Sequence, residues 1–275
     1  MSYKRILTIQ DISCVGQCSM TVALPIISAC GVETAVLPSA VLSTHTAGFS
    51  GYTFRDLAGD MPKIREHWVK EKIKFDAVYT GYLGSVEQVD YVLDIMRDTL
   101  NEGGFRIVDP AMADNGKLYP GFDKTYVAAM KSLCASADIL LPNITEACML
   151  TNYEYREIYD EEYIKGLLDK LNKFCNAKIV LTGVSYDAET TGVVVYENNE
   201  LSYYRHEKLV KSCHGTGDVY AAAFVGAYMK EHGLYESAAM AADYTIECMK
   251  NTQKDDSHWY GVKFETALKT LVERV

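Results

Sequence analysis

Hydrophobic and polar positions along the chain fall into two recurring patterns. Short apolar runs read as buried strands. Longer stretches with apolar residues every three or four positions read as helices packed on one face. Residues 5–10 (RILTIQ) predict a strand, and 11–16 a polar turn containing Ser13 and Gly16. Residues 17–30 predict a helix that Pro25 kinks and that closes at Gly31, a residue suited to a left-handed C-terminal cap. A short strand is expected at 33–38. The alternation then repeats: helix 65–74, strand 75–80, helix 86–101, strand 105–109, helix 126–135, strand 138–141, short helix 145–151, helix 161–175 and strand 178–182. Residues 193–196 and 201–204 flank Glu197-Asn198-Asn199-Glu200 and predict a hairpin with Asn in its turn. Helices at 219–231, 235–250 and 264–273 complete the pattern.

Strands alternating with helices of this length predict βαβ units, hence an α/β fold with a mostly parallel sheet covered on both faces. The hairpin adds antiparallel strands to one edge. No internal repeat or Pro/Ser-rich linker divides the chain, so a single domain over 1–275 is expected. Residues 43–59, with His45, Gly48, Gly51 and several aromatics, fit a flap over a site and an ordinary connection equally well.

Composition narrows the function classes. The chain carries 27 Lys+Arg against 37 Asp+Glu, a formal charge of −10. Lys63, Arg65, Lys70, Lys72 and Lys74 are interleaved with Glu66 and Glu71 and read as a solvated helix face. Nucleic acid is therefore disfavoured as a partner, whereas a local site can still hold one small anion. The longest apolar run, 221–229, is too short to cross a membrane. The N-terminal residues lack a signal-peptide pattern. Eight scattered cysteines without paired C-x-x-C spacing read as reduced thiols, with no zinc site. A cytoplasmic protein is expected. Twenty tyrosines are many; Tyr153, Tyr155, Tyr159 and Tyr163 read as half-buried rings on a helix and its entry loop, with a dimer or nucleotide contact as the alternative.

In open parallel sheets ligands bind outside the carboxyl ends of the strands. Polar residues stand just after several predicted strands: Asp11-Ile12-Ser13, Thr80-Gly81-Tyr82, Asp109-Pro110, Pro142-Asn143 through Glu146, Thr182-Gly183 and Gly215-Thr216-Gly217-Asp218. Singly, each is as easily a helix cap; together they line one rim. The last is the sharpest. Its two glycines let successive N–H groups converge at the start of a small-residue helix, an anion site that needs no Lys or Arg. It matches neither the P-loop, which needs a Lys, nor the dinucleotide fingerprint, which would need Gly at Tyr220. Asp218 is either a helix N-terminal carboxylate or a general base beside an anion hole, the pairing that phosphoryl transfer to an alcohol requires. Cys213, just before the loop, is not read as a nucleophile.

These residues resemble a known family. Gly215-Thr216-Gly217-Asp218 with its small-residue helix resembles the anion-hole signature of ribokinase-like kinases. The stretch VDPAMADNGKLY (108–119) resembles the D-P-V-M-G-D-x-G-x-x-Y segment of pyridoxal kinases, PNITEA (142–147) their P-N-x-x-E element, and TGYLGS (80–85) and STHTAGFSGY (43–52) their substrate-side segments. The resemblance implies a ribokinase-like three-layer α/β/α fold and transfer of the ATP γ-phosphate to the 5′-hydroxyl of pyridoxal, pyridoxamine or pyridoxine. It implies Asp218 as catalytic base and the amides of Gly215, Thr216 and Gly217 as anion hole. Asn143 and Glu146 would order Mg²⁺ largely through water, with Asp109 near the metal and phosphates and Thr182 at the nucleotide phosphates. Ser13, His45 and Tyr82 would line the pyridine pocket, and a homodimer is implied. The sequence departs from the pattern at Ala111 (Val in the family), Ala113 (Gly) and Leu141 (Thr in some relatives, near a monovalent-cation site), which leaves a monovalent ion open. His214 before the loop is similar to the H-G-T-G-C run of hydroxymethylpyrimidine kinases, which carry Cys where this chain has Asp218. That acceptor, another small-molecule acceptor of a ribokinase-like kinase such as a sugar, and a non-catalytic pyridoxal-binding protein stay as alternatives.

Overall fold

The computed structural model of the chain describes residues 3–209 and 213–275. In chain order the elements are β1 (Arg5–Ser13), α1 (Met20–Ala29), β2 (Glu33–Leu42), β3 (Phe54–Asp56), α2 (Met61–Lys70), β4 (Phe75–Thr80), α3 (Val86–Thr99), β5 (Leu100–Val108), β6 (Ala113–Asp114), β7 (Lys117–Leu118), α4 (Lys124–Ala135), β8 (Ile139–Leu140), α5 (Ile144–Thr151), α6 (Glu161–Phe174), β9 (Lys178–Val184), β10 (Thr190–Glu197), β11 (Glu200–Glu207), α7 (Thr216–Met229), α8 (Leu234–Thr252) and α9 (Leu268–Arg274).

Nine strands form one sheet in the order β11-β10-β9-β8-β5-β4-β1-β2-β3. Six of them, from β9 to β2, run parallel, while β3, β10 and β11 pair antiparallel at the two edges. The sheet separates two apolar cores. Leu7, Ile9, Val78 and Val108 face α3, α4 and α6; Ile6, Ala77, Tyr79 and Ile107 face α1, α7 and α8. This is the expected three-layer α/β/α arrangement with an edge hairpin. Among the described residues no helix is long and apolar enough to cross a membrane.

Local chemistry explains where the elements start and stop. Gly31 (φ 81°) follows α1 in the left-handed region, as its position suggested, and the helix runs on through Pro25. The helix expected at 65–74 begins instead at Met61, because Pro62 occupies the first turn, where its missing N–H costs nothing. The strand expected at 33–38 continues past Pro38 to Leu42, and the β1–β2 register slips just beyond that donor-less residue, between Gln10 and Ile12. Ser85, Asp123 and Asp160 cap α3, α4 and α6 through their side chains.

Candidate active site

The parallel strands bring the sequence candidates to one rim. Asp11 and Ser13 end β1, Gly81 and Tyr82 follow β4, Asp109 follows β5, Asn143 follows β8, and Thr182 lies near the end of β9. The N-terminus of α7 closes the row.

Gly215 is the N-cap of α7 in the left-handed conformation (φ 76°, ψ 5°), and no side chain among the described residues caps the helix. The first-turn amides of an α-helix have no intrahelical partner, so this end presents donors and partial positive charge. A Cβ on Gly215 would come closer than 3.0 Å to the Gln17 carbonyl oxygen. Gly217 is different. Its φ is not positive, and among the described residues a Cβ would meet nothing within 4 Å. The turn therefore depends on Gly215, while Gly217 leaves open space above the amides. Thr216 folds its hydroxyl back onto the Cys213 carbonyl (2.7 Å).

Asp218 is half-buried in the first turn of α7. Burial pushes its carboxyl up to about 7; the Ser19 backbone N–H and the Cys18 thiol oppose the shift, and the Asp11 charge adds to it. Asp11, 4% exposed, is raised by burial against hydrogen bonds from Ser19 and Ser13. The Ser13 hydroxyl donates to Asp11 Oδ2 at 2.9 Å. The backbone feeding these contacts is strained: Gly16, Gln17 and Ser19 all have positive φ (126°, 54° and 53°).

Asn143 and Glu146 form a reciprocal capping box on α5. The Glu146 N–H donates to Asn143 Oδ1 (2.9 Å) and the Asn143 N–H to Glu146 Oε2 (2.9 Å). Glu146 Oε1 also accepts from the Met112 N–H (3.0 Å), and Asn143 Nδ2 donates to the Ala113 carbonyl (2.8 Å). The pair thus anchors the 111–114 loop on α5, and both of its polar heads are engaged by protein. Burial raises Glu146 to about 7, and raises Asp109 well above the carboxylate range with the Glu146 charge adding. Asp109 Oδ1 accepts from the Ala111 N–H (3.1 Å). Among the described residues no three His, Cys, Asp or Glu side chains are arranged to hold a metal ion. A half-buried carboxylate (Asp109) and a buried one (Glu146) already saturated by backbone donors fit a hydrated Mg²⁺ held mainly by water and phosphate. Thr182 pairs by a parallel bridge with Asn143, and both line a cavity of about 430 Å³ with Asp114, Tyr159, Tyr186 and Lys208.

On the opposite side of the rim, Tyr82 stacks on Phe122 (5.4 Å between centroids), and burial pushes its hydroxyl up to about 12. His45 is 4% exposed and lies 5.7 Å from the His214 ring. Its ring is held from two sides. Nδ1 accepts from the Ala47 N–H (3.1 Å), so Nε2 is protonated and donates to the Tyr260 carbonyl (2.7 Å). Both ring nitrogens are thus engaged within the protein. Segment 43–53 is pinched at its base by the Ser43 N–H on the Thr53 carbonyl (3.2 Å), and β3 follows it at the sheet edge. Sequence reasoning singled out Asp11 only as part of a rim, counted Cys18 only among the scattered thiols, and missed Ser19 and Tyr260.

Residues 24–261 match the family model described as phosphomethylpyrimidine kinase. The chain is similar to the solved pyridoxal kinase of Lactobacillus plantarum, at 31% identity and TM-score 0.91, covering 99% of this chain and 98% of that one. It is similar to a Bacteroides thetaiotaomicron protein, named provisionally as a phosphomethylpyrimidine kinase and crystallised in an orthorhombic form with pyridoxal, at 32% identity and TM-score 0.91, covering 98% and 96%. A hydroxymethylpyrimidine/phosphomethylpyrimidine kinase of Bacillus subtilis is 24% identical over 78% of this chain and 77% of its own length.

Proposed function

The chain belongs to the phosphomethylpyrimidine kinase family within the ribokinase-like superfamily, and from that premise we propose that it transfers the γ-phosphate of ATP to the 5′-hydroxyl of pyridoxal, pyridoxamine or pyridoxine. The observation that carries the reading is the pairing of Asp218 with the uncapped first turn of α7. A carboxyl held near 7 is poised to take a hydroxyl proton at neutral pH. The amides of Gly215, Thr216 and Gly217 sit where charge on the transferred group would develop. In the proposed step the acceptor oxygen bonds to the γ-phosphorus, the bond to the β–γ bridging oxygen breaks, the hydroxyl proton passes to Asp218, and ADP leaves.

Asp109, Glu146 and Asn143 form the wall that would hold Mg²⁺, largely through water. A Mg²⁺ ion held there would supply charge neutralisation for the nucleotide phosphates. Thr182 lies beside Asn143 and is assigned to the nucleotide phosphates. Ser13 and Tyr82 are assigned to the acceptor pocket, with His45 behind them. A protein at −10 gains nothing from long-range steering of ATP, so binding depends on these local dipoles and on the cation.

Support for a B6 vitamer over a pyrimidine comes from two sources. Asp218 stands where the hydroxymethylpyrimidine kinases carry Cys, and the relatives above 30% identity include one called a pyridoxal kinase and one crystallised with pyridoxal. The deciding experiment is a MgATP-dependent phosphorylation screen over pyridoxal, pyridoxamine, pyridoxine and hydroxymethylpyrimidine. Preferred turnover of a B6 vitamer is expected. Preference for hydroxymethylpyrimidine overturns the substrate assignment, and turnover of none favours a binding protein.

A further inference from the structure

Three glycines outside the anion-hole turn make a contact system that the reaction described above does not use. A Cβ on Gly16 (φ 126°) would collide with the His45 ring. A Cβ on Gly48 (φ 86°) would come within 2.9 Å of Trp259 Cζ3, and one on Gly261 within 2.6 Å of the Gly16 carbonyl oxygen. Each glycine thus lets two of three segments touch: the strained loop 16–19, the pinched loop 43–53, and residues 258–261 between α8 and α9. Polar contacts join the same segments. His45 Nε2–H donates to the Tyr260 carbonyl (2.7 Å), His258 Nε2 lies 3.0 Å from Gln17 Oε1, and Gln17 Nε2 donates to Glu265 (2.8 and 3.0 Å). The Phe49 ring packs on Trp259 (4.7 Å) and lies 5.0 Å from His45. Trp259 is nevertheless about half exposed, so it covers the loop from outside rather than building the core.

We propose that residues 258–261 are a clasp that sets the closed position of the 43–53 flap, with Trp259 as a positioning residue that governs affinity for the hydroxyl acceptor and not for the nucleotide. The selectivity follows from placement. His45 borders His214 and the Gly16 turn beside Asp11, at the ends of β1 and α7. The nucleotide-side residues Asn143, Glu146 and Thr182 stand at β8, α5 and β9, on the other half of the sheet. The clasp also reaches Gln17, whose carbonyl abuts Gly215, so it braces the segment that supplies the Ser19 N–H to Asp218.

The claim about affinity rests on the kinase reading, and two experiments keep the two separable. In steady-state kinetics with pyridoxal and MgATP, Trp259→Ala is expected to raise the KM for pyridoxal about tenfold, as the loss of an aromatic contact of this kind would, with kcat and the KM for MgATP little changed. Trp259→Phe should restore most of the loss. An unchanged pyridoxal KM, an equal rise in both KM values, or no rescue by Phe overturns the proposal. The second experiment needs no turnover. The chain holds two tryptophans, so Trp68→Phe leaves Trp259 as the sole tryptophan, excited selectively beyond the tyrosine absorption band. Adding Gly48→Ala should expose Trp259 and increase its quenching by acrylamide, and unchanged quenching overturns the clasp. Absence of turnover in the unmodified protein would count against the kinase reading alone.

Discussion

Gly215 and Gly217 sit two residues apart in one turn, and the structure assigns them different work, so replacing each with alanine should give opposite signatures. Gly215→Ala forces a Cβ into the left-handed region, costing about 1–2 kcal/mol. It also drives that Cβ onto the Gln17 carbonyl, a backbone atom that cannot rotate away. Overpacking of this kind adds about 1–3 kcal/mol. The sum, roughly 2–5 kcal/mol, corresponds to a fall in melting temperature of about 4–10 °C at near 2 °C per kcal/mol for a chain of this size. Gly217→Ala meets open space in a helical turn and should leave stability unchanged or raise it by up to about 1 kcal/mol. It nevertheless places a methyl over the amides that would receive phosphate, so kcat/KM for MgATP should fall. The assays are differential scanning fluorimetry without ligand and initial rates with varied MgATP. Equal melting temperatures for the two variants would refute the assignment of the turn to Gly215. Unchanged kcat/KM in Gly217→Ala would refute the anion hole above it.

Three further outcomes are expected. Because Asp218 must be ionised to accept a proton and burial raises it to about 7, kcat should climb as pH rises through about 7; a rate flat from pH 5.5 to 8.5 would contradict this. Asn143→Ala removes the α5 cap and the link to Ala113, so melting temperature should drop by what about 1–2 kcal/mol gives, with Asn143→Asp retaining the cap portion; scanning fluorimetry of both variants checks it. Ser13→Ala leaves the buried Asp11 carboxylate short of a donor and should destabilise by about 1–3 kcal/mol in urea unfolding.

The sequence was most legible where chemistry is local. Strand 75–80 carries its own apolar run and polar boundaries, and its limits match β4. The Asn143-x-x-Glu146 spacing is itself a helix-start signal, and it stands as a reciprocal cap. The rim was legible because parallel strands put their carboxyl ends on one side. What stayed hidden depends on distant partners or on missing alternation. The three residues of β3 are all exposed, so no period marks them inside 43–59. Two element limits fall at prolines that the pattern did not resolve: Pro62 lies in the first turn of α2, and β2 continues past Pro38. Sequence placed His45 near the pocket, yet its ring is fixed by a carbonyl 215 residues away. The environment of Asp218 likewise comes from loop 16–19, at the far end of the chain.

The central claim is that Asp218 takes the acceptor proton beside an amide-lined anion site. Its most direct test is the single-turnover rate of MgATP-dependent pyridoxal phosphorylation by Asp218→Ala, with MgATP binding measured on the same protein. The account predicts retained nucleotide binding and a rate at least about 10²-fold lower, the scale of general-base loss. A rate near that of the unmodified protein would contradict it.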